Sequence, residues 1–303
     1  SPNFAYFINA YSSAEKAPLY TLHSSKNGAL LKTIVVNLDF EKAVWQMNIT
    51  PKSFFTLTTS NGDQLNAWMI KPKDFDASKK YPLFMTQYSG PGSQSVANTW
   101  NSYNDYWFYM LAQKGYIVVC VDGRGTGFKG AEFKKVTYKE LGKYEVEDQI
   151  EVAKIIGKYD YIDPSRIGIW GWSYGGFMSS NCILKGNDVF KTAIAVAPVT
   201  SWRFYDSIYT ERYMQTPQEN ANGYDDNSPL SHVEKLKGNY LLIHGTADDN
   251  VHVQNTMVML EALIQANKQF DWAIYPDKNH GIYGGATRLQ LFTKMTNYIQ
   301  EKL

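Results

Sequence analysis

The chain has 303 residues, of which 30 are Lys or Arg and 29 are Asp or Glu, a formal net charge of +1. That balance argues against a nucleic acid or an acidic membrane surface as the main partner, and no apolar run approaches the roughly 20 residues that span a bilayer. Hydrophobic residues make up 44% of the chain, and the length suits one large or two modest domains.

Residues 1–50 differ from the rest. FAYFINAYSS, PLYTLHSS and LLKTIVVN are short β-forming runs separated by Ser, Lys, Asn and Gly, with a turn expected at Ser25-Lys26-Asn27-Gly28. A set this small does not readily close its own core. Next, Phe54–Thr58 and Leu65–Ile70 flank Asn61-Gly62, which supplies the positive φ angles of a tight hairpin. Lys71–Lys80 reads as a loop and Pro82–Tyr88 as a strand stopped by Ser89-Gly90-Pro91-Gly92. From there the pattern turns α/β: a helix over Tyr106–Lys114, a buried strand over Tyr116–Val121, a loop at Asp122–Gly127 and a helix over Glu145–Lys158. After residue 190 come a strand at Thr192–Ala197, an aromatic segment from Trp202 to Tyr213 and a polar loop around Asn220–Ser228. Strands at Tyr240–His244 and Phe270–Tyr275 alternate with a helix at Val253–Ala266, and an amphipathic helix at Ala286–Lys302 closes the chain. Antiparallel strands followed by repeated β-α units predict an α/β-hydrolase fold: a mostly parallel twisted sheet flanked by helices, preceded by a short all-β segment.

The stretch that carries chemistry is RIGIWGWSYGGFMSS, residues 166–180. A short apolar strand stops at Gly171-Trp172-Ser173-Tyr174-Gly175, and a helix begins after it. This is a G-x-S-x-G nucleophile elbow in its strand-to-helix context. Ser173 must sit on a strained corner, so the residues two before and two after it lack side chains. A serine nucleophile needs a base, and the base an orienting carboxylate, in the chain order Ser, acid, His. His23 precedes the serine, His232 precedes the later strands, and His244 ends an apolar strand as a buried imidazole would. His280, directly after the last strand, is placed better for a base than His252. For the acid, Asp248 and Asp249 both lie on the loop after the Tyr240–His244 strand; position favours Asp248 modestly. Glu145, Glu147 and Asp148 read as acids favoured by the helix dipole, and Asp122–Gly127 lacks the Gly-Lys-Ser/Thr of a phosphate loop. Cys120 and Cys182 read as buried apolar residues, and no set of residues has metal-ligand spacing.

From about residue 50 to the C-terminus, GWSYGGFMSS, AVAPVTSWRFYDSIYTERYM, YLLIHGTADDNVH, DGRGTG with EVEDQIE, and QYSGPGSQ resemble the catalytic domain of the dipeptidyl peptidase IV family, in the prolyl oligopeptidase clan of serine peptidases. The resemblance implies Ser173 as nucleophile, Asp248 as acid and His280 as base. It implies an oxyanion hole made by the Tyr88 hydroxyl and the Tyr174 backbone N–H. Tyr174, Val199, Trp202, Tyr205 and Tyr209 would line a proline pocket, with Asn250 on a substrate carbonyl. The implied activity is cofactor-free release of N-terminal X-Pro or X-Ala dipeptides through an acyl-enzyme. The family carries a β-propeller ahead of this domain that binds the substrate's free amine, so residues 1–50 are expected to be its last strands, residues 51–303 the peptidase domain, and the chain a fragment. A homodimer of the full-length protein and an extracytoplasmic location (periplasmic, secreted or cell-surface) follow from the resemblance too. The apolar stripe Leu289, Phe292, Met295 and Ile299 could serve the dimer or pack on its own sheet. The alternatives are another peptidase of the clan (a prolyl endopeptidase or an acylaminoacyl peptidase), a carboxylesterase, or a non-catalytic interaction module of the same fold.

Overall fold

The strands sort into two sheets in the computed structural model, which describes residues 1–303 apart from the side chain of Tyr103. The smaller is antiparallel and contains β1 (Tyr6–Ser13), β2 (Lys16–Ser24) and β3 (Leu30–Val35). Gly28 takes φ +73° in the β2–β3 turn, a conformation that a Cβ disfavours. This sheet leaves Phe7, Ile8, Leu30, Leu31 and Ile34 exposed. It is tied to the rest of the molecule by hydrogen bonds from Ala14 N to Asn98 Oδ1 (2.9 Å) and from Trp100 N to Ser12 Oγ (3.3 Å).

The expected N-terminal strands are joined by a helix the sequence reading did not include, α1 (Leu38–Gln46). Its Glu41 accepts from Ala17 N at 2.8 Å, and Asn37 just before it donates to Pro18 O at 2.7 Å. Contacts to β2, more than its own apolar content, fix this helix.

The larger sheet has the order β11-β10-β9-β8-β6-β7-β5-β4. Its strands are β4 (Ser53–Thr58), β5 (Gln64–Ile70), β6 (Tyr81–Thr86), β7 (Ile117–Asp122), β8 (Ile162–Trp172), β9 (Thr192–Val196), β10 (Asn239–Gly245) and β11 (Asp271–Tyr275). The β4–β5 hairpin and the β5–β7 pair are antiparallel; from β7 through β6, β8, β9 and β10 to β11 the pairing is parallel. Chain order reverses beside β6, since β7 lies on one side of it and β8 on the other. In an open parallel sheet a crevice forms at the carboxyl ends of the strands flanking such a reversal. The residues leaving β6 and β8 are the Tyr88 and Ser173 loops.

The helices are α2 (Tyr103–Gln113), α3 (Ala131–Lys135), α4 (Tyr144–Ile156), α5 (Tyr174–Lys185), α6 (Ser207–Met214), α7 (Ala221–Asp226), α8 (Gln254–Gln265) and α9 (Thr287–Lys302). Strand residues alternate between two apolar layers, as the period of two demands. Ile117, Val119 and Val121 join a layer with Val152, Phe177 and Met259 of α4, α5 and α8. Val118 and Cys120 face the other, with Trp107 of α2 and Leu291 and Met295 of α9. Both cysteines are buried and unpaired.

Two expectations need correction. The segment Asn220–Ser228 is not simply a loop, because it contains α7, which is followed by a 3-10 turn at Pro229–Lys235. In α9 the inward face is Leu291, Met295 and Ile299, whereas Leu289 is 74% exposed. Residues four apart stay in line on a helix, and position 289 falls on the solvent side of that line. Phe292 packs edge-on against Trp107 at 5.2 Å.

Candidate active site

Three glycines let β8 turn into α5. A Cβ on Gly171 would lie 2.3 Å from the backbone of Gly175, one on Gly175 2.7 Å from Gln87 O, and one on Gly176 2.9 Å from Val196 O. Backbone is therefore packed against backbone on both sides of the corner. Ser173 itself sits at φ +61°, ψ −118°, a strained conformation for a residue with a Cβ. Its N–H donates to Val196 O at 2.8 Å, and its carbonyl accepts from Phe177 N at 3.0 Å. The Gln87 amide braces the turn from β6 by donating to Gly175 O at 2.9 Å. As the first residue of α5, Tyr174 has no carbonyl one turn back for its N–H to bond, as at any helix N-terminus.

The acid loop follows β10 and the histidine loop follows β11. Thr246 N donates to Tyr275 O (3.0 Å) and Ala247 N to Lys278 O (3.1 Å), so the two loops run side by side. Gly245 permits this approach, since a Cβ there would fall 2.1 Å from Lys278 O. Asp248 points inward and is buried, while Asp249 is exposed. His280 Nδ1–H donates to Asp248 Oδ2 at 2.7 Å. The other carboxylate oxygen accepts from Asn250 N (3.0 Å) and Val251 N (2.9 Å). Burial alone would raise the Asp248 pKa, but hydrogen bonds from His244 and His280 outweigh it and hold the carboxyl well below the usual range. His252, the weaker candidate base, is exposed at the entry to α8.

Among the hydrogen bonds of the described residues none joins Ser173 Oγ to His280. Beside Ser173, Trp172 Nε1–H donates to the backbone His280 O at 2.9 Å. In unliganded sites such nucleophile–base bonds are often long and tighten with substrate. Tyr88, two residues beyond β6, is partly exposed, and its hydroxyl faces Ser173. Burial pushes its pKa up, and the contact with Ser173 works against that push.

Beside Ser173 the aromatic residues form a continuous wall of ring contacts, most of them tilted or edge-on. Ring centroids lie 6.1 Å apart for Tyr88–Tyr174, 5.3 Å for Tyr174–Trp202, 6.0 Å for Trp202–Tyr209 and 5.4 Å for Tyr205–Tyr209. Val199, Tyr174 and Trp202 are buried, while Tyr205 and Tyr209 are half-open. Tyr205 donates its hydroxyl to Asn250 Oδ1 at 2.7 Å, which links this wall to the acid loop. Tyr88 is thus set against Ser173, and Tyr205 against the loop that carries Asp248.

The acids of α4 correct the sequence reading. Glu145 and Glu147 do lie in the first turn of α4, but only Glu147 is exposed; Glu145 and Asp148 are completely buried and held by specific partners. Asp148 holds Arg124 through Nε at 2.9 Å and Nη2 at 2.6 Å. Glu145 lies behind the aromatic wall, where it accepts from the Tyr174 hydroxyl at 2.6 Å and from Gly142 N at 3.1 Å. Burial pushes its pKa up to about 7. Periodicity could not find this residue, because its partner is 29 positions away. The described residues contain no cluster of three or more His, Cys, Asp or Glu arranged for a metal ion, and no helix long and apolar enough to cross a membrane.

The chain is similar to known peptidases over most of its length. Dipeptidyl peptidase 4 of Felis catus is 40% identical over 287 residues, covering 94% of this chain and 37% of that protein. Human prolyl endopeptidase FAP is 40% identical over 293 residues, with the same two coverages. The crystal structure of Porphyromonas gingivalis dipeptidyl peptidase 4 superposes with a TM-score of 0.97 at 50% identity, over all of this chain and 43% of that one. The chain therefore spans about two fifths of the length of these relatives. With an eight-stranded α/β-hydrolase sheet, and with residues 101–303 matching the prolyl oligopeptidase family, this chain belongs to the prolyl oligopeptidase family of serine peptidases.

Proposed function

We propose that the chain is the catalytic portion of a serine dipeptidyl peptidase that cleaves after a penultimate proline or alanine. The observation that carries this reading is the Asp248–His280 pair at 2.7 Å, tied by Trp172 to the strained Ser173 corner and by Asn250 to the Tyr205 end of the aromatic wall. In the proposed reaction the Ser173 hydroxyl attacks the carbonyl after proline while His280 Nε2 takes its proton. The Tyr174 N–H and the Tyr88 hydroxyl hold the oxyanion. His280 then gives its proton to the departing amine, and water, activated by the same imidazole, releases the dipeptide from Ser173. Asp248 keeps the imidazole oriented with Nδ1–H toward itself and so leaves Nε2 free for the proton.

A free α-amine must be recognised for the cut to fall after two residues, and that task belongs in this reading to a β-propeller of which β1–β3 are part. An extracytoplasmic location and a homodimer belong to the same reading and rest on resemblance. The second reading, a prolyl endopeptidase, is supported by the equal identity to the human endopeptidase. Hydrolysis of Gly-Pro-p-nitroanilide and of its N-blocked counterpart tests both. The dipeptidyl peptidase reading expects turnover of the free-amine substrate, lost in Ser173→Ala. Preference for the blocked substrate would favour the endopeptidase, and full turnover by Ser173→Ala would sink both.

A further inference from the structure

His244, next to last in β10, is fully buried and takes no part in the reaction just described. Its surroundings are polar. Nε2 lies 2.7 Å from Val251 O and 3.2 Å from Asp248 Oδ2, and Nδ1 lies 2.7 Å from Thr256 Oγ1. Both groups at Nε2 are acceptors, so the proton sits on Nε2, and the Thr256 hydroxyl donates to Nδ1. The oxygen that Nε2 approaches is the one that accepts from His280. Val251, whose carbonyl His244 holds, gives its own N–H to the other Asp248 oxygen at 2.9 Å.

We propose that His244 is a positioning residue for the Asp248–His280 pair: its Nε2–H holds the Val251 peptide, whose N–H fixes Asp248 Oδ1, and stands 3.2 Å from Oδ2. This rests on the proposed function, and it adds a second imidazole beneath the acid. The titratable groups around the carboxylate are His244 from β10, His280 from the loop before α9 and Tyr205 from the aromatic segment. Without the His244 donor, Asp248 is a less satisfied anion. It then stabilises the His280 imidazolium more strongly and withholds free base at neutral pH. A residue that merely filled space would not move that titration.

The test compares wild type with His244→Leu, which keeps bulk and loses the donor, and with His244→Gln, whose amide nitrogen can occupy the place of Nε2. The readouts are the pH dependence of Ser173 labelling by a fluorophosphonate and the proton resonance of the His280 Nδ1–H. For His244→Leu the acid limb should move up by about one pH unit, the worth of one hydrogen bond to a charge, and labelling on the acid side of that limb should slow about tenfold. The Nδ1–H resonance should move as well, and His244→Gln should restore most of each. A folded His244→Leu with the wild-type acid limb and resonance overturns the proposal, as does a folded His244→Gln no better than His244→Leu. Should His244→Leu fail to fold, Thr256→Val decides, because it frees the ring from its Nδ1 partner. A shift of the same sign supports the proposal, and an unmoved titration and resonance overturn it. The resonance does not depend on turnover. An unreactive Ser173 would therefore defeat the proposed function, while the resonance alone would still support or overturn the role of His244.

Discussion

The corner at Ser173 and the three-stranded sheet at the N-terminus are built on opposite terms. At the corner, backbone touches backbone, and three glycines are the only residues that fit. In the N-terminal sheet the Gly28 turn has open space around it, and large apolar side chains such as Phe7, Ile8 and Leu31 face solvent. The first region is over-determined by its surroundings, which is what allows a serine to be held at φ +61°. The second has no covering layer within this chain, which spans about two fifths of its relatives. Precision in this molecule is concentrated at the carboxyl ends of β6, β8, β10 and β11, and tolerance at the opposite extreme of the sequence.

Substitutions can break that contrast. The largest effect is expected for Gly171→Ala. Its methyl would meet the Gly175 backbone at 2.3 Å, and the fold should lose about 4 kcal/mol or more, read as a collapse of the thermal midpoint or failure to purify. Next, Tyr88→Phe keeps the ring and removes the hydroxyl. It should lower kcat about 10²- to 10³-fold with little change in KM, the loss typical of one oxyanion donor.

Glu145→Gln follows. The Glu145 pKa is raised from 4.5 to about 7, so its burial favours the protonated fold. That contribution is fully present below pH 4.5 and is lost as pH rises through about 7. In wild type, stability should therefore fall across that window by up to about 3 kcal/mol, the worth of the shift. Denaturant titrations at about pH 5 and about pH 8 should show Glu145→Gln losing less stability than wild type between the two. The smallest effect is expected for Gly28→Ala, where no clash arises and only the positive φ is strained. A loss of about 1–2 kcal/mol, confined to the N-terminal sheet, should leave the main unfolding transition in place. If Gly28→Ala and Gly171→Ala cost the same, the contrast between the two regions fails.

Much of this was legible in the sequence. The elbow announces itself because glycines at fixed offsets from a serine, between an apolar strand and a helix, meet a steric demand that is local. The β4–β5 hairpin is legible for the same reason, through Asn61-Gly62. What stayed hidden depends on distant partners. Helix α1 is held by Glu41 and Asn37 against β2. Helix α7 is six residues long, too short to show a period, and is anchored by the Asn220 amide donating to Lys139 O and Met214 O. Glu145 looked like a helix-end acid because nothing in its neighbourhood names Tyr174. His244 was rightly read as buried, but its place beneath Asp248 emerges only when β10 and its following loop fold back on each other. The roles of Tyr88, Asn250 and the aromatic wall came from resemblance, since local pattern alone makes them strand-end or core residues.

The most direct test of the central claim is covalent labelling by a fluorophosphonate, mapped by peptide mass spectrometry, in wild type and in His280→Ala. A triad at Ser173, Asp248 and His280 predicts a single modified residue, Ser173, in wild type. Labelling should slow at least about a thousandfold in the folded variant, as for a lost member of a catalytic triad. Modification elsewhere, or a Ser173 that reacts equally fast without His280, would contradict it.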